Sequence, residues 1–275
     1  YLQATLDAAR LKVVAGGPRV LRGHFGEVGF LEFSRDSRTL RSVGLEPLFA
    51  TWSVDSGRIA SSRRGHVEDL SQDHSLYVWN MTLYDVETGR EIRKLEKVWG
   101  GRRESDSDPT VFSFSPDGRT VAGGCRDGKL RLWNVATGRH LWAIDAAKKD
   151  LWHVRFTQDG RTIVTATPDE GPVSVWNSDN GKAGPSTYPG SHVWTIRVLP
   201  DSKRVLVAAA DSVFVWEPAT GGKTAIHVNH KTHAVAVSED GKWWAFGNDE
   251  DVQLCDASTG GQVRSLKGHS GYVES

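Results

Sequence analysis

Apolar and polar residues alternate in short runs along most of this chain, and no run keeps a helical spacing over three turns. In residues 129–133, for example, leucines alternate with lysine and arginine, which is typical of a half-buried β-strand. Similar short runs lie at residues 120–124 and 140–144, and turn-forming residues such as Asp-Gly and Thr-Gly separate them. The pattern predicts an all-β chain without substantial helix.

Two turn markers recur along the chain with a period of about 40 residues. The first is an aspartate in a short polar turn, repeated at intervals of 37 to 44 residues: Asp36, Asp73, Asp117, Asp159, Asp201 and Asp240. The second is a glycine five residues after an aromatic residue or cysteine: Gly57, Gly89, Gly138, Gly181, Gly221 and Gly260. Each unit holds four strands, and such a sheet buries both faces only when it is stacked on others. The sequence therefore predicts a β-propeller.

Several motifs resemble those of the WD-repeat family. They are the turn Ser115-Pro116-Asp117-Gly118, Leu-Trp-Asn at 132–134, Thr-Gly at 137–138, and Gly-His at 23–24, 65–66 and 268–269. The resemblance covers essentially the whole chain, and the degenerate repeats look like bacterial members. It implies four-stranded antiparallel blades, with partners bound chiefly on the loop-bearing face. No Trp-Asp pair is intact, and no unit holds the full set of His, turn Asp, strand Ser or Thr, and Trp that the family hydrogen-bonds within a blade. We therefore expect chiefly apolar contacts to hold the blades.

The blade count follows from the chain ends. Six units account for residues 24–267, while residues 1–23 and 268–275 together supply most of another. We predict one seven-bladed propeller over residues 1–275, whose closing blade is incomplete and shared by both termini, because closure removes unpaired strand edges. The alternative is six blades with the first 23 residues outside the ring. The second unit is expected to have short strands or to lack a hairpin.

Composition narrows the function. Thirty-four Lys and Arg residues balance 34 Asp and Glu residues, which disfavours nucleic acid and anionic membranes as partners. No uncharged apolar run approaches the roughly 18 residues of a membrane span. Cys125 and Cys255 have neither disulfide nor zinc spacing, so we expect reduced, buried thiols. We predict a cytoplasmic monomer without cofactor or metal, and Tyr1 at the start indicates a piece of a longer protein.

Aromatic and basic residues concentrate in the loops before the first strand of each unit. In a propeller these loops gather around the channel mouth, and binding residues concentrate on such loops. We predict the following partner-binding residues: Arg102, Arg103, Lys148, Lys149, Trp152, His192, Trp194, His230, Lys231 and His233. Trp152, Trp194 and His233 occupy equivalent positions and are either anchors for a partner or wedges between blades.

The basic residues of this set have two interpretations. They form either a patch that holds an acidic or phosphorylated peptide through guanidinium and ammonium contacts, or a plain solvated surface. Acidic turns on the same side, among them Asp127 and Asp169, are expected to dilute the positive charge.

No catalytic motif is present, so we predict that the chain is not an enzyme. The predicted function is a protein–protein interaction scaffold that docks a protein or peptide on the loop-bearing face near the channel mouth. A second hypothesis is a propeller hydrolase or lyase that uses His192 and His233 at the channel mouth, which requires at least two titratable groups in a closed pocket. Two more hypotheses are a sensor or regulatory domain of a longer bacterial signalling protein, and a structural element without a partner.

Overall fold

The computed structural model describes residues 21, 28–33, 38–44, 48–64, 67–73, 75–98, 107–226, 232, 234–238, 240–247 and 251–267. The elements with described bounds are 24 β-strands in six four-stranded antiparallel sheets, named blades 1 to 6 in chain order. The chain divides into two compact units, Tyr1–Val67 with blade 1 and Glu68–Ser275 with blades 2 to 6. No helix among the described residues has the length and apolarity of a membrane span.

Blade 1 belongs to the first unit. It comprises β1 (Val28–Phe33), β2 (Thr39–Gly44), β3 (Leu48–Ser53) and β4 (Ile59–Arg64), paired in that order. Leu40, Ala50 and Trp52 form its buried core. The indole Nε1 of Trp52 donates a hydrogen bond of 2.6 Å to the Ser42 hydroxyl on the neighbouring strand. This bond is one part of the network that the family resemblance implied.

The second unit holds five blades. Blade 2 comprises β5 (Asp69–Leu70), β6 (Leu76–Trp79), β7 (Thr82–Asp85) and β8 (Glu91–Lys94). Blade 3 comprises β9 (Pro109–Phe114), β10 (Thr120–Cys125), β11 (Lys129–Asn134) and β12 (His140–Asp145). Blade 4 comprises β13 (His153–Phe156), β14 (Thr162–Ala166), β15 (Val173–Asn177) and β16 (Ala183–Thr187). Blade 5 comprises β17 (Val193–Val198), β18 (Val205–Ala209), β19 (Val213–Glu217) and β20 (Gly222–Ile226). Blade 6 comprises β21 (Ala234–Val237), β22 (Trp243–Gly247), β23 (Asp251–Asp256) and β24 (Gln262–Lys267).

The predicted all-β architecture of four-stranded antiparallel blades is confirmed. Of the two alternatives predicted for blade 2, the structure shows short strands, and all four strands of the blade are present. Six blades are described where seven were predicted, because the residues assigned to the closing blade, 1–23 and 268–275, lie outside the described residues apart from Leu21.

Alternation along each middle strand explains why blades 2 to 6 stack. Successive residues of a strand point to opposite faces. In β14, Ile163 joins a core shared with blade 3, and the next residue, Val164, joins a core shared with blade 5. In β18, Val207 faces blade 4 and Leu206 faces blade 6. The cores therefore lie between blades, and the first strands β5, β9, β13, β17 and β21 neighbour one another in that order.

The aspartate markers among the described residues each order a hairpin turn. In blade 3 the Ser115 hydroxyl donates to Asp117 at 2.6 Å, and Asp117 accepts from the backbone N–H of Arg119 at 3.0 Å. The hydrogen bond from Ser115 is the main reason that the pKa of Asp117 lies below its ordinary value. Gly118 adopts a φ of +69°, the left-handed conformation that glycine tolerates. The repeat thus encodes its own turn chemistry.

Candidate partner-binding surface

The candidate residues of blades 4 and 5 lie at one end of these sheets. In a four-stranded antiparallel sheet, the loop before the first strand and the loop between the second and third strands leave from the same end. Hydrogen bonds join these loops: Trp152 N–H donates to Ala166 O at 3.1 Å, and Val193 N–H donates to Pro168 O at 3.2 Å. The second bond links the first strand of blade 5 to blade 4. These hydrogen bonds therefore fix the loops to the sheets.

Trp152, His192 and Trp194 form an aromatic cluster on this end of blades 4 and 5. The ring centroids of Trp152 and His192 are 5.9 Å apart, and those of His192 and Trp194 are 4.4 Å apart, both in edge-on geometry. Edge-on contacts between rings are favourable because the positive edge of one ring meets the negative face of the other. The structure thus brings together three of the residues that the sequence predicted.

A β-bulge explains why Trp194 points outward. The register between β17 and β18 shifts between Val193 and Thr195, which places the irregularity at Trp194. Val193 and Thr195 are buried, whereas Trp194 is 39% exposed and Trp152 is 51% exposed. A bulge redirects a side chain in this way. Both indoles keep a large solvent-accessible surface beside His192.

A surface depression borders the aromatic cluster. It has a volume of about 370 Å³ and is lined by Arg126, Lys148, Lys149, Asp150, Trp152, Pro168 and Asp169. Lys149 Nζ lies 3.5 Å from a carboxylate oxygen of Asp169, and both side chains are largely exposed. Asp169 therefore dilutes the positive charge here, as predicted. Trp152 belongs to both the depression and the aromatic cluster, so the two features form one continuous surface.

The same prediction is wrong for Asp127. Its carboxylate is only 8% exposed and forms an ion pair with the buried Arg131, so it contributes no surface charge. The sequence placed it on the surface because turns between strands are normally solvated. Here the turn folds back over a charged residue of the following strand.

A glycine fixes the loop that carries the two lysines. Gly128 O accepts hydrogen bonds from Ala146 N–H at 3.0 Å and Ala147 N–H at 2.9 Å. A Cβ at position 128 would lie 2.2 Å from Ala147 O, and Gly128 has a φ of +78°. Only glycine meets both demands without strain. Lys148 and Lys149 follow directly, so their positions depend on this contact.

Three further basic side chains lie on the first strands of blades 4 and 5. His153 and Arg155 belong to β13, and Arg197 belongs to β17. Burial, and then the charge of Arg155, lower the pKa of His153 to about 4. Burial, and then Arg155 again, lower the pKa of Arg197 to about 10. Sequence reasoning missed Arg155 and Arg197. Their signal was an arginine within each predicted first strand, where stacked blades favour apolar residues.

Several predicted residues cannot be placed. Arg102, Arg103, His230, Lys231 and His233 lie outside the described residues.

Cys125 and Cys255 are described, are free of disulfides and have no exposed surface, which confirms the predicted buried thiols. Burial raises the pKa of both thiols, that of Cys125 to about 12. Neither cysteine is a thiolate at neutral pH, so neither has the reactivity of a nucleophile.

Several known proteins are similar in sequence to this chain. A family model described as the WD40 domain of anaphase-promoting complex subunit 4 matches residues 90–159. The human angio-associated migratory cell protein is 27% identical over 260 residues, which is 88% of this chain and 52% of that protein. Human apoptotic protease-activating factor 1 is 22% identical over 264 residues, which is 92% of this chain and 20% of that protein. Autophagy-related protein 16 of Arabidopsis thaliana is 26% identical over 227 residues, which is 75% of this chain and 42% of that protein.

The chain spans about half the length, or less, of these relatives. All three come from eukaryotes, so they do not support the bacterial origin that the degenerate repeats indicated, which stays a prediction. The family model, the relatives and the four-stranded blades at the predicted period agree with one another. The comparisons therefore support the predicted resemblance to the WD-repeat family.

Proposed function

We propose that the chain is a non-catalytic protein–protein interaction scaffold, and that the end of blades 4 and 5 with the aromatic cluster and the adjoining depression docks its partner. The WD-repeat relatives support the scaffold role, and one observation supports the location. Trp152 and Trp194 are 51% and 39% exposed on either side of His192. A cluster of large apolar side chains at a surface often marks an interaction site. Tryptophans contribute much of the binding energy at many interfaces.

The rigid setting of the cluster favours binding. Val193, which lies between His192 and Trp194 in the chain, is fully buried. Backbone hydrogen bonds hold the segments that carry Trp152 and Trp194. A partner therefore loses little entropy in ordering this surface, because the rings are already held in place. The neighbouring depression adds Lys148 and Arg126 as donors for polar contacts at the rim.

The described residues give no observation in favour of the hydrolase or lyase hypothesis. His192 contacts two indole rings, and no described carboxylate forms a hydrogen bond with its imidazole. His233, the second residue of that hypothesis, lies outside the described residues. A general acid–base pair needs two titratable groups within hydrogen-bond reach of one substrate atom. The proposal therefore gives the surface a binding role only.

The experiment compares a double variant, Trp152→Ala with Trp194→Ala, with the unaltered chain. Affinity capture with the whole chain first identifies a partner, which is then purified and titrated by calorimetry. We expect the double variant to bind that partner at least about 30-fold more weakly, the loss typical of even one interface hot spot. Its melting temperature should fall by only a few degrees, because both side chains are already 39–51% exposed.

Leu141→Ala is the matched control. Leu141 is 49% exposed, but it lies on the outermost strand of blade 3, away from the aromatic cluster. This variant should bind the partner as the unaltered chain does. If the tryptophan variant binds equally well, or if it melts far below the control, the indoles are wedges between blades and the proposed location is wrong.

The basic residues are tested separately. A quadruple alanine variant of Arg102, Arg103, Lys148 and Lys149 removes the predicted patch. Because exposed charges act mainly on the association rate and are screened by salt, we expect slower association at low ionic strength and little change at high ionic strength. Unchanged association at both ionic strengths would remove the basic patch from the proposed surface.

A further inference from the structure

Two arginines interact electrostatically on the inner strands of blades 4 and 5. Arg155 lies on β13 and Arg197 on β17, and the charge of one acts on the other. Both residues are partly buried. No described carboxylate lies within ion-pair distance of either guanidinium, whereas the buried Arg131 has one. Partly burying two like charges is costly when no described residue supplies a counterion.

The hydrogen bonds of the two guanidinium groups leave donors available. Arg197 Nη1 donates to Thr195 Oγ1 at 2.9 Å and to Ile196 O at 3.1 Å. Arg155 Nη1 donates to Val154 O at 2.9 Å. A guanidinium has five N–H donors in a planar fork. None of the nitrogens of Arg155 or Arg197 is both enclosed and without a partner, so the remaining donors reach solvent.

His153 completes the positive surroundings. Its Nε2 lies 3.4 Å from Val193 O, and the charges of Arg155 and Arg197 both act on the imidazole. Burial is the main reason that the pKa of His153 is as low as about 4, and the two arginines add to it. At neutral pH the imidazole is therefore uncharged and does not increase the repulsion. We name His153, Arg155 and Arg197, which lie on the neighbouring strands β13 and β17, the inner basic cluster.

We propose that the inner basic cluster binds an oxyanion, namely a carboxylate or phosphate group on a side chain of the docked partner. The inference rests on the proposed function, because the same segments carry both clusters: Trp152 directly precedes β13, and Trp194 lies on β17 with Arg197. Two planar guanidinium groups match the oxygens of a carboxylate or phosphate, and charge-assisted hydrogen bonds are the strongest that such donors make. An oxyanion supplies the arginine pair with the counterion that no described residue provides.

The test uses the whole chain and free oxyanions, without any partner. Thermal unfolding is followed at constant ionic strength while chloride is replaced by inorganic phosphate in one arm and by succinate in the other. We expect the melting temperature to rise with concentration in at least one arm, since a ligand that binds only the folded state stabilises it. A rise with phosphate alone indicates a phosphorylated partner, and a rise with succinate indicates an acidic one.

Arg155→Gln and Arg197→Gln should each weaken the oxyanion response about tenfold or abolish it. Arg139→Gln is the matched control, because Arg139 is exposed and its loss changes the net charge equally. In chloride alone, Arg197→Gln should melt no lower than the unaltered chain, since it removes an unpaired charge. A structural role for Arg197 predicts the opposite.

A second measurement does not depend on the variants folding. Oxyanion binding offsets the positive charge beside His153, so phosphate or succinate should raise the pKa of His153 in an NMR titration of the unaltered chain. The proposal is overturned if neither oxyanion raises the melting temperature or moves this pKa. The Trp152 and Trp194 double variant should keep the oxyanion response, so failure of the docking proposal and failure of the oxyanion proposal are distinguishable.

Discussion

Arg131 and Asp127 form a doubly hydrogen-bonded ion pair inside blade 3. Arg131 Nη1 lies 3.0 Å from Asp127 Oδ1, and Arg131 Nη2 lies 2.7 Å from Asp127 Oδ2. The Arg131 side chain is 1% exposed. Asp127 also accepts the backbone N–H of Lys129 at 3.0 Å. One carboxylate therefore closes the turn between β10 and β11 and neutralises a buried charge.

Replacement of Asp127 by asparagine should cost about 3–5 kcal/mol of unfolding free energy, because it leaves the guanidinium of Arg131 buried without a counterion. Urea denaturation of both proteins measures the difference. Asp169→Asn is the control, since it breaks the exposed ion pair with Lys149 and should change stability by less than about 1 kcal/mol. Equal effects of the two substitutions would contradict a stabilising role for the buried pair.

Alanine at Gly128 and alanine at Gly118 should have unequal effects. Both glycines have a left-handed φ, so each substitution costs on the order of 1 kcal/mol in backbone strain. Nothing lies within 4 Å of a Cβ at Gly118, whereas a Cβ at Gly128 would collide with Ala147 O. We expect Gly128→Ala to lower the midpoint of urea unfolding more than Gly118→Ala does.

The same pair of variants also tests the partner-binding surface. Only Gly128→Ala displaces the loop that carries Lys148 and Lys149, so only this variant should slow association with the partner. If both variants have the same stability and bind alike, the contact between Gly128 and Ala147 is not tight.

The strands and turns could be predicted from the sequence because each repeat carries its own alternation and its own turn aspartate. The ion pair between Asp127 and Arg131 could not be predicted from the sequence. An arginine that alternates with leucines indicates a strand with one solvated face, but a middle strand of stacked blades is buried on both faces. A charged residue there needs an internal partner, and the sequence of one strand does not say which residue supplies it.

The candidate site shows the same limit. The positions of Trp152 and Trp194 before or within the first strands predicted their end of the blades correctly. Whether Trp194 points outward depends on a bulge, which is a mismatch in length between β17 and β18. Such a mismatch arises from the pairing of two strands and is not visible in either strand alone.

A hydrogen bond between Trp176 and Thr165 should contribute to the stability of blade 4. Trp176 Nε1 donates to Thr165 Oγ1 at 2.9 Å, and Thr165 is 1% exposed. A double-mutant cycle with Thr165→Val and Trp176→Phe, followed by urea denaturation, should give a coupling energy of about 1 kcal/mol. The control is a second double-mutant cycle, which pairs Trp142 with Thr165. The indole of Trp142 donates to a backbone carbonyl in blade 4 and not to the Thr165 hydroxyl. Additive effects for Trp176 and Thr165 would show that packing alone holds the indole.

Glu68 should make the stability of the second unit fall as the pH rises through neutrality. Burial raises the pKa of Glu68 from 4.5 to about 7, although its carboxylate accepts a hydrogen bond of 3.2 Å from Asn80 N–H. The folded chain therefore binds more protons than the unfolded chain between these two values. This stabilisation is fully present below about pH 4.5 and is lost as the pH passes 7, by at most about 1.4 kcal/mol per pH unit.

Urea denaturation of the unaltered chain and of Glu68→Gln, from pH 5 to pH 8, isolates this contribution. Glutamine still accepts the hydrogen bond from Asn80 but carries no charge at any pH, so the stability of Glu68→Gln relative to the unaltered chain should rise up to about pH 7 and then level off. His153 acts in the opposite direction, because its lowered pKa makes acidification toward pH 4 destabilising. That effect is common to both proteins and cancels in the difference. Parallel stability curves would mean that Glu68 titrates in the folded chain as it does in the unfolded one.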